Sequence, residues 1–343
     1  MDITYFLGAN SAGGFFSHYG QLRAVSGAML RILKGGPGCG KSTLMKKVVR
    51  RAEQLGFRPE AILCSSDPDS LDGVAVPELG YAVVDGTAPH VVEPPLCGCG
   101  TGYLDLSAGY RTESLAGSAT ALRAIQAAGQ ACYPAATACL RAAADLEPLA
   151  AETGALTADL ARELLDRELP DRGRRGTLRL LFLGGFTPHG HLIRWDTVRA
   201  LCGRVYLLYD TPERISCFLH RLGGGAAARG WDCIAGDSPL RPGARWEQLL
   251  IPELGLAFCA APEEAPCPLP DVIPLGAPSA GNAGAELRCA LYREAAGHLR
   301  RAKEYHDLLE AGFAPFVDFS IADRAALDCC AELEVLADRA ARG

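Results

Sequence analysis

The sequence has little positive charge. Its formal net charge is −6, and only five of its 343 residues are lysine. Nucleic acids and anionic membrane surfaces attract proteins through clustered Lys and Arg side chains. We therefore expect neither nucleic acid nor a membrane surface to be a general partner of this chain.

Long apolar runs and secretion signals are also missing. No segment reaches the run of about 18 apolar residues that suggests a membrane-spanning helix, so none is predicted. The opening MDITYFLG has neither a basic region nor a long apolar stretch, and no signal peptide is expected. The fourteen cysteines include no C-x-x-C pair, and Cys97-Gly-Cys99 lacks the spacing of a structural zinc site. Reduced thiols and a cytoplasmic location are the expectation.

The composition is that of a globular chain with room for two domains. Apolar residues make up 49% of the sequence and charged residues 22%, as in ordinary globular proteins. Single hydrophobic cores usually stop growing beyond about 250–300 residues. A chain of 343 residues is therefore expected to divide into two domains.

Residues 35–42 read GGPGCGKS and match G-x-x-x-x-G-K-[ST], the P-loop pattern of nucleotide-binding proteins. The flanking sequence predicts a short apolar strand over 29–33 and a helix over 43–55, with Gly56 as its C-terminal stop. Strand, glycine loop and helix in this order are the context that the motif requires.

The residue types of this motif explain its chemistry. Glycines let consecutive backbone N–H groups turn toward phosphate oxygens, and the helix N-terminus adds the positive end of its dipole. Lys41 is expected to reach the β- and γ-phosphates, and the Ser42 hydroxyl is expected to ligate Mg²⁺. ATP is favoured over GTP because no asparagine is followed by lysine, as the guanine-specific Asn-Lys-x-Asp motif requires. The predicted nucleotide-binding residues are Gly35, Gly36, Pro37, Gly38, Cys39, Gly40, Lys41, Ser42 and Thr43.

Carboxylates follow two further predicted strands. The apolar stretch 81–84 ends at Asp85, which we interpret as the Walker B residue that orients Mg²⁺. Asp67 and Asp69 follow the strand predicted over 61–65, and either one is a candidate general base or a plain turn residue. Gly86 stands where many motor ATPases carry a catalytic glutamate, so fast hydrolysis is not expected. The predicted catalytic residues are Lys41, Asp85 and Asp67, and the predicted metal ligands are Ser42 and Asp85.

The second part of the sequence repeats the first at an offset of 175 positions. VPELGYA at 76–82 recurs as IPELGLA at 251–257, and Pro37 aligns with Pro212. At this offset the second P-loop lacks its chemistry, because Ile215 stands for Gly40, Ser216 for Lys41, Cys217 for Ser42 and Ala260 for Asp85. We therefore predict that each chain binds one nucleotide, in its first half.

These motifs carry a family resemblance. Together with FLGAN at 6–10, SDPDSLD at 66–72, GFTPHGH at 185–191 and AKEYHDLLE at 302–310, the sequence resembles a family of uncharacterised bacterial ATPases with tandem P-loop halves. The resemblance covers nearly the whole chain and implies nucleotide binding and ATPase activity, without a particular substrate. Both halves generally carry a P-loop in that family, so this chain departs from it at 210–217.

The predicted fold is α/β, with two tandem P-loop NTPase-like halves, each a mainly parallel sheet flanked by helices. The nucleotide-binding domain spans 1–170 and includes alanine-rich helices near 115–128, 135–146 and 158–169. Residues 171–176 are a linker, whose arginines are either solvated or an arginine finger in cis. The degenerate P-loop-like domain spans 177–343 and includes a long helix over 286–311.

The sequence thus predicts a Mg²⁺-dependent, ATP-binding P-loop ATPase with one active nucleotide site and a degenerate second half. One alternative is a small-molecule or nucleotide kinase, in which Asp67 or Asp69 activates an acceptor hydroxyl. The other is a non-catalytic, ATP-dependent switch that binds a partner protein. ATP and Mg²⁺ are the predicted cofactors in each case. The substrate, the protein partner and the oligomeric state are left open.

Overall fold

The computed structural model describes residues 2–22, 29–94, 96–147, 154–264, 266–277 and 283–342. The strands are β1 Ile3–Phe6, β2 Gly8–Ser11, β3 Gly14–Ser17, β4 Met29–Lys34, β5 Glu60–Leu63, β6 Leu71–Val76, β7 Tyr81–Asp85, β8 Thr101–Asp105, β9 Leu178–Leu181, β10 Gly184–Thr187, β11 Gly190–Ile193, β12 Arg204–Tyr209, β13 Cys233–Asp237, β14 Trp246–Ile251, β15 Leu256–Ala260 and β16 Ile273–Gly276. The α-helices are α1 Lys41–Gln54, α2 Thr112–Leu115, α3 Ala119–Gln130, α4 Cys132–Asp145, α5 Ala158–Glu168, α6 Trp195–Leu201, α7 Pro212–Ala228, α8 Ala283–Phe313 and α9 Ser320–Arg342.

The first six-stranded sheet is mixed, not mainly parallel as predicted. Its strand order is β1-β5-β6-β7-β4-β8, and β6 runs antiparallel to both of its neighbours, while the other pairs are parallel. The reversal has a local cause. A single 3₁₀ turn at Pro77–Leu79, closed by Gly80 at φ 59°, brings β7 back alongside β6. Glycine reaches this left-handed backbone region without steric cost.

The second six-stranded sheet has the same topology as the first. Its order is β16-β12-β15-β14-β13-β9, and β14 is antiparallel to both neighbours, as β6 is. The same turn recurs at Pro252–Leu254, where Gly255 has φ 60°. The predicted pair of similar α/β halves is therefore confirmed, although both sheets are mixed.

The two halves meet through equivalent residues. Phe6 and Phe182 exchange backbone hydrogen bonds of 2.9 and 3.0 Å. The Asn10 side chain donates to the backbone oxygen of Phe186 at 3.0 Å. Each pair joins positions that correspond in the repeat, and contact between corresponding residues is characteristic of a two-fold relation. The halves are thus arranged like the two subunits of a symmetric dimer.

The helices that follow each sheet pack on the opposite half. Helix α5 contributes Ala161 and Leu164 to the core around α7, in the second half. Helix α9 contributes Ala322 and Ala326 to the core around α1, in the first half. Each half therefore depends on the other for part of its hydrophobic core, whose burial is the main stabilising term in folding.

The predicted helices are present with shifted ends. The alanine-rich segments form α3 and α4, α5 ends one residue before the predicted 169, and α8 extends beyond the predicted 286–311 at both ends. Helix α1 begins at Lys41, two residues before the predicted start. Its buried positions Leu44, Val48 and Ala52 lie on one face, as the periodicity predicts.

The segment 171–176 is fixed to the second half. The Arg172 guanidinium lies 4.5 Å from the centre of the Trp231 ring and pairs with Glu253. Arg174 pairs with Asp232 at 3.2 Å. These two arginines thus face second-half partners. In the described part of the chain, none of the helices combines the length and the apolar composition that a membrane span requires.

Candidate nucleotide and metal site

The glycine-rich loop, residues 35–40, connects β4 to α1. Gly38 has φ 70° and Gly40, the N-cap of α1, has φ 93°. Residues other than glycine rarely adopt this left-handed backbone region. A Cβ at Gly35 would lie 2.6 Å from the Cys39 sulfur, and one at Gly36 would lie 2.8 Å from the Tyr110 hydroxyl. The loop therefore requires glycine for its backbone shape at two positions and for space at two others.

Lys41 folds back over this loop. Its Nζ donates to the carbonyl oxygens of Gly35 at 2.6 Å and Gly36 at 3.0 Å, and it lies 3.5 Å from Asp85 Oδ2. The side chain is 15% exposed. A largely buried ammonium group thus stands between the loop and the end of β7.

The motif residues Ser42, Thr43 and Cys39 have three different environments. The Ser42 hydroxyl accepts from the Leu71 amide at 3.0 Å and so faces strand β6. Thr43 is exposed. Cys39 is buried, and burial raises the pKa of its thiol. A raised thiol pKa lowers reactivity, so Cys39 has a packing role.

Asp85 ends strand β7, as predicted, and is 7% exposed. Its Oδ1 accepts from the Thr87 amide at 2.8 Å and from the Thr87 hydroxyl at 2.6 Å. These two bonds leave Oδ2 directed toward Lys41. The structure therefore brings together Lys41 and Asp85, which the sequence had predicted to share a site.

Two residues of this region received no role from the sequence. Asp72, in β6, lies next to the Gly73–Val84 pair of the antiparallel β6–β7 ladder, at the same end of the ladder as Asp85. His90 Nε2 is 3.8 Å from Asp72 Oδ1. Ligand atoms of Asp72, Asp85 and His90 all lie within 4.8 Å of one another, and all three residues are buried. Burial raises the pKa of Asp72, and the charge of Asp85 adds to the rise. A prediction that β6 pairs with β7 in the antiparallel direction could have identified these two residues from the sequence.

Asp67 is held by other side chains. Its Oδ2 accepts from the Ser70 hydroxyl at 2.7 Å, and its Oδ1 lies 3.6 Å from the ammonium group of Lys303, in α8. Asp69 is largely exposed, with its carboxylate 3.8 Å from His189. Asp67 is therefore part of the contact between the end of β5 and α8.

Helix α8 reaches the glycine-rich loop with a carboxylate. Glu310 Oε1 accepts from the Gly38 amide at 3.2 Å. The pKa of Glu310 is lowered chiefly by a hydrogen bond with His306, and the Gly38 amide and the Lys41 charge lower it further. An anionic group thus already lies against a backbone N–H of the loop, where a bound anion would also find a donor.

A cavity of about 210 Å³ borders the loop at Pro37. Its walls are mostly apolar and come from α3 and the end of α8, with two polar side chains among them. The lining residues are Pro37, Leu115, Ala119, Leu122, Arg123, Gln126, Leu309 and Phe313.

The second half has no counterpart of the glycine-rich loop. Only Asp210 and Thr211 separate β12 from α7, whereas six residues separate β4 from α1. The Asp210 carboxylate lies 3.4 Å from Arg214, and Glu213 pairs with Arg245. Both acidic side chains are therefore neutralised within the second half.

The helix register corrects the sequence alignment by one residue. The Trp246 amide donates to Ser216 Oγ at 3.0 Å, as the Leu71 amide donates to Ser42 Oγ. Ser216 therefore corresponds to Ser42, and Ile215 corresponds to Lys41. The constant offset of 175 is wrong along this helix because six residues separate Tyr209 from Ser216, whereas seven separate Lys34 from Ser42.

The carboxylate pair is also incomplete in the second half. Gln248 pairs with Cys259, so Glu247 lies opposite Ala260, at the positions of Asp72 and Asp85. One carboxylate remains where the first half has two. Burial raises the pKa of Glu247 to about 7.

No protein-family model, curated protein or solved structure matches this chain. The chemical interpretation of the site therefore depends on the geometry of this chain alone. That geometry consists of a glycine-shaped loop at a helix N-terminus, a buried lysine and a buried pair of carboxylates.

Proposed function

We propose that this chain is a Mg²⁺-dependent, ATP-binding P-loop ATPase with one working nucleotide site in its first half. The observation that carries the proposal is the position of Lys41. Its ammonium group lies between the carbonyls of the glycine-rich loop and Asp85, and its contacts there leave it within reach of any group bound in the loop. The resemblance to bacterial ATPases with tandem P-loop halves is part of the same proposal.

Phosphate recognition is assigned to the loop and to the start of α1. The fourteen-residue helix directs its N-terminal amides, and the positive end of its dipole, toward the loop. Lys41 adds a full positive charge that strengthens phosphate hydrogen bonds. A phosphate group that takes the Gly38 amide displaces the Glu310 carboxylate, so nucleotide binding releases a contact of α8.

The donor set fits the magnesium ion that this function implies. Ser42 and Asp85 supply a hydroxyl and a carboxylate, both oxygen ligands of the kind Mg²⁺ prefers. When bound, the ion neutralises charge on the phosphate oxygens. Thr87 holds Asp85 in one orientation through two hydrogen bonds. When the Lys41 ammonium group moves to the phosphate, Asp85 Oδ2 loses its ionic partner and becomes free to bind the ion.

The nucleoside is assigned to the cavity beside Pro37. Its apolar walls suit the faces of a flat base, and Arg123 and Gln126 offer polar groups for its edge. Sites of this kind combine a mainly apolar lining with a few polar groups that fix orientation.

A non-catalytic switch is the second candidate, and the contact between Glu310 and Gly38 favours it. That contact joins the proposed phosphate site to a 31-residue helix, so occupancy of the loop is coupled to the position of α8. The kinase alternative has less support, because the proposed base Asp67 is already paired with Lys303 and Ser70.

A single assay separates these functions. The purified chain is incubated with γ-labelled ATP, Mg²⁺ and small-molecule metabolites, and free phosphate is separated from phosphorylated products. An ATPase releases free phosphate, and a kinase transfers the label to an acceptor. Binding without turnover supports the switch. The absence of ATP binding would refute the proposed function.

A further inference from the structure

Asp72 and Asp85 form an unfavourable pair in the absence of a cation. Both lie next to the Gly73–Val84 pair of the antiparallel strands β6 and β7, their ligand oxygens lie within 4.8 Å of each other, and each residue is 7% exposed. Like charges at this separation repel each other, and burial strengthens the repulsion. Lys41 lies 3.5 Å from Asp85, but its Nζ also bonds to two loop carbonyls. The His90 ring lies near Asp72, with its Nε2 3.8 Å from Asp72 Oδ1.

One buried polar atom of this cluster has no hydrogen bond. His90 Nδ1 is unpartnered within the part of the chain that the structure describes, and His90 is 7% exposed. The Tyr19 hydroxyl lies beside the Asp72 carboxylate. The Tyr19 ring stacks on His90 at 4.9 Å and fixes the imidazole in place. Buried polar groups normally have partners, so the unpartnered imidazole nitrogen indicates that a ligand completes the site.

We infer that Asp72, Asp85 and His90 form a binding site for a divalent transition-metal cation. The inference deepens the proposed function and rests on it for the cation's role beside the nucleotide. It adds two ligands, Asp72 and His90, that the P-loop pattern does not assign. The site itself uses only side chains that are already within 4.8 Å of one another.

The donor set selects among cations. Mg²⁺ prefers an all-oxygen environment with several waters, whereas imidazole is a good ligand for first-row transition metals. Two carboxylates with one imidazole suit Mn²⁺, which accepts both donor types. The chain therefore binds Mn²⁺ more tightly than Mg²⁺ at this site when no nucleotide is present.

The second half supplies an internal control. Glu247 occupies the Asp72 position, but Ala260 replaces Asp85, so only one carboxylate is left. With a single carboxylate, the second half cannot coordinate the ion through two carboxylate ligands as the first half does. The chain therefore binds one such cation, in the first half.

Electron paramagnetic resonance tests the inference with Mn²⁺ alone, because the signal of free Mn²⁺ is lost on binding. The expected result is one Mn²⁺ per full-length chain, with binding weakened about ten-fold or more by Asp72→Asn and by His90→Gln. Asp69→Asn and Glu247→Gln are the matched controls and leave binding unchanged. Asp72→Asn also raises the melting temperature of the metal-free chain, because it relieves the repulsion from Asp85, and this shows that the variant folds.

Lys41→Ala distinguishes failure of the site from failure of the proposed function. It weakens ATP binding by about 10- to 150-fold if the proposed function is right. It strengthens Mn²⁺ binding if the metal site is right, because it removes a competing cation from Asp85. The metal site is refuted if the wild-type chain binds no Mn²⁺, or if Asp72→Asn and His90→Gln bind it as the wild type does. Unchanged ATP binding in Lys41→Ala refutes the proposed function alone.

Discussion

The two halves share a backbone but not a site. Strand order and direction are the same, and the turn glycines Gly80 and Gly255 have φ of 59° and 60°. Ser42 and Ser216 even accept the same backbone hydrogen bond. The differences lie in the connection before the helix and in a few polar side chains. Apolar packing thus maintains the fold in both halves, while the glycine loop and Lys41, to which we assign phosphate binding, are parts that the second half folds without.

The replacement of Lys41 by Ile215 illustrates this separation. Ile215 is 6% exposed and belongs to the core around α7, whereas Lys41 sits at the start of α1 with its charge over the loop. Burying an isoleucine side chain stabilises a fold by about 1.5–3 kcal/mol. The second half therefore gains core packing at the position where the first half has the charge of Lys41.

The largest expected effect is that of Lys41→Ala on ATP binding. A charge-assisted hydrogen bond contributes about 1.5–3 kcal/mol, so affinity should fall by roughly 10- to 150-fold. Calorimetric titration measures the loss. Lys46→Ala is the matched control because, among the residues that the structure describes, Lys46 bonds to the backbone oxygen of Asp69 and not to the loop. Unchanged affinity in Lys41→Ala would show that the two halves do not differ in the way described.

Asp85→Asn should lower Mg²⁺-dependent turnover by about 10- to 100-fold, as losses of metal-orienting groups do. ATP affinity should fall less, because the loop amides and Lys41 remain. Phosphate release measured against Mg²⁺ concentration gives both values. Turnover equal to that of the wild type would remove Asp85 from the metal site.

Ile215→Lys tests the corrected register between the halves. It should destabilise the chain by about 2 kcal/mol because a buried apolar residue becomes charged, and it should create no second nucleotide site. Ser216→Lys, which the uncorrected alignment would choose, should not create one either. Chemical denaturation and ATP titration are the measurements. A second site in either variant would show that the glycine loop is dispensable.

Glu310→Gln should raise ATP affinity. The change removes a negative charge from the Gly38 amide, and a hydrogen bond contributes about 0.5–1.5 kcal/mol net, so the gain is about two- to ten-fold. Glu304→Gln, in the same helix, is the control with no effect. Weaker ATP binding in Glu310→Gln would mean that Glu310 supports the nucleotide instead of competing with it.

The smallest effect concerns pH and the second half. The pKa of Glu247 is about 7 in the folded chain and 4.5 ordinarily, so the folded state holds a proton that the unfolded state has lost between these values. Stability should therefore fall as pH rises from about 4.5 to 7 and stay level above it. The two pKa values correspond to about 3 kcal/mol, and the partial exposure of Glu247 to solvent reduces the expected change to about 1–2 kcal/mol. Glu247→Gln should remove this fall and Glu163→Gln should not, as unfolding in denaturant at several pH values would show.

The local parts of the candidate site were predictable from the sequence. A strand, a glycine loop and a helix lie within one short segment, and their pattern needs no knowledge of distant residues. Asp85 was predictable for the same reason, since it ends an apolar strand. The repeat was visible because VPELGYA and IPELGLA encode the same turn.

The remaining features depend on long-range pairing. The antiparallel direction of β6 brings Asp72 close to Asp85, and a predicted parallel sheet would have separated them. The one-residue shift of α7 is not visible in the sequence. The second half has one extra residue between α7 and β14, and this residue restores the offset of 175. Glu310 reaches Gly38 across 272 positions of sequence, through the packing of α8 on the first half. None of these contacts leaves a periodic signal in the chain.

Titration of the full-length chain with ATP and Mg²⁺, followed by calorimetry, tests the central claim most directly. The claim is that one half has kept phosphate chemistry and the other has only kept the fold. We predict one nucleotide per chain in the wild type, bound about 10- to 150-fold more weakly in Lys41→Ala. Two equivalent nucleotides per chain, or one that binds equally tightly in Lys41→Ala, would contradict the claim.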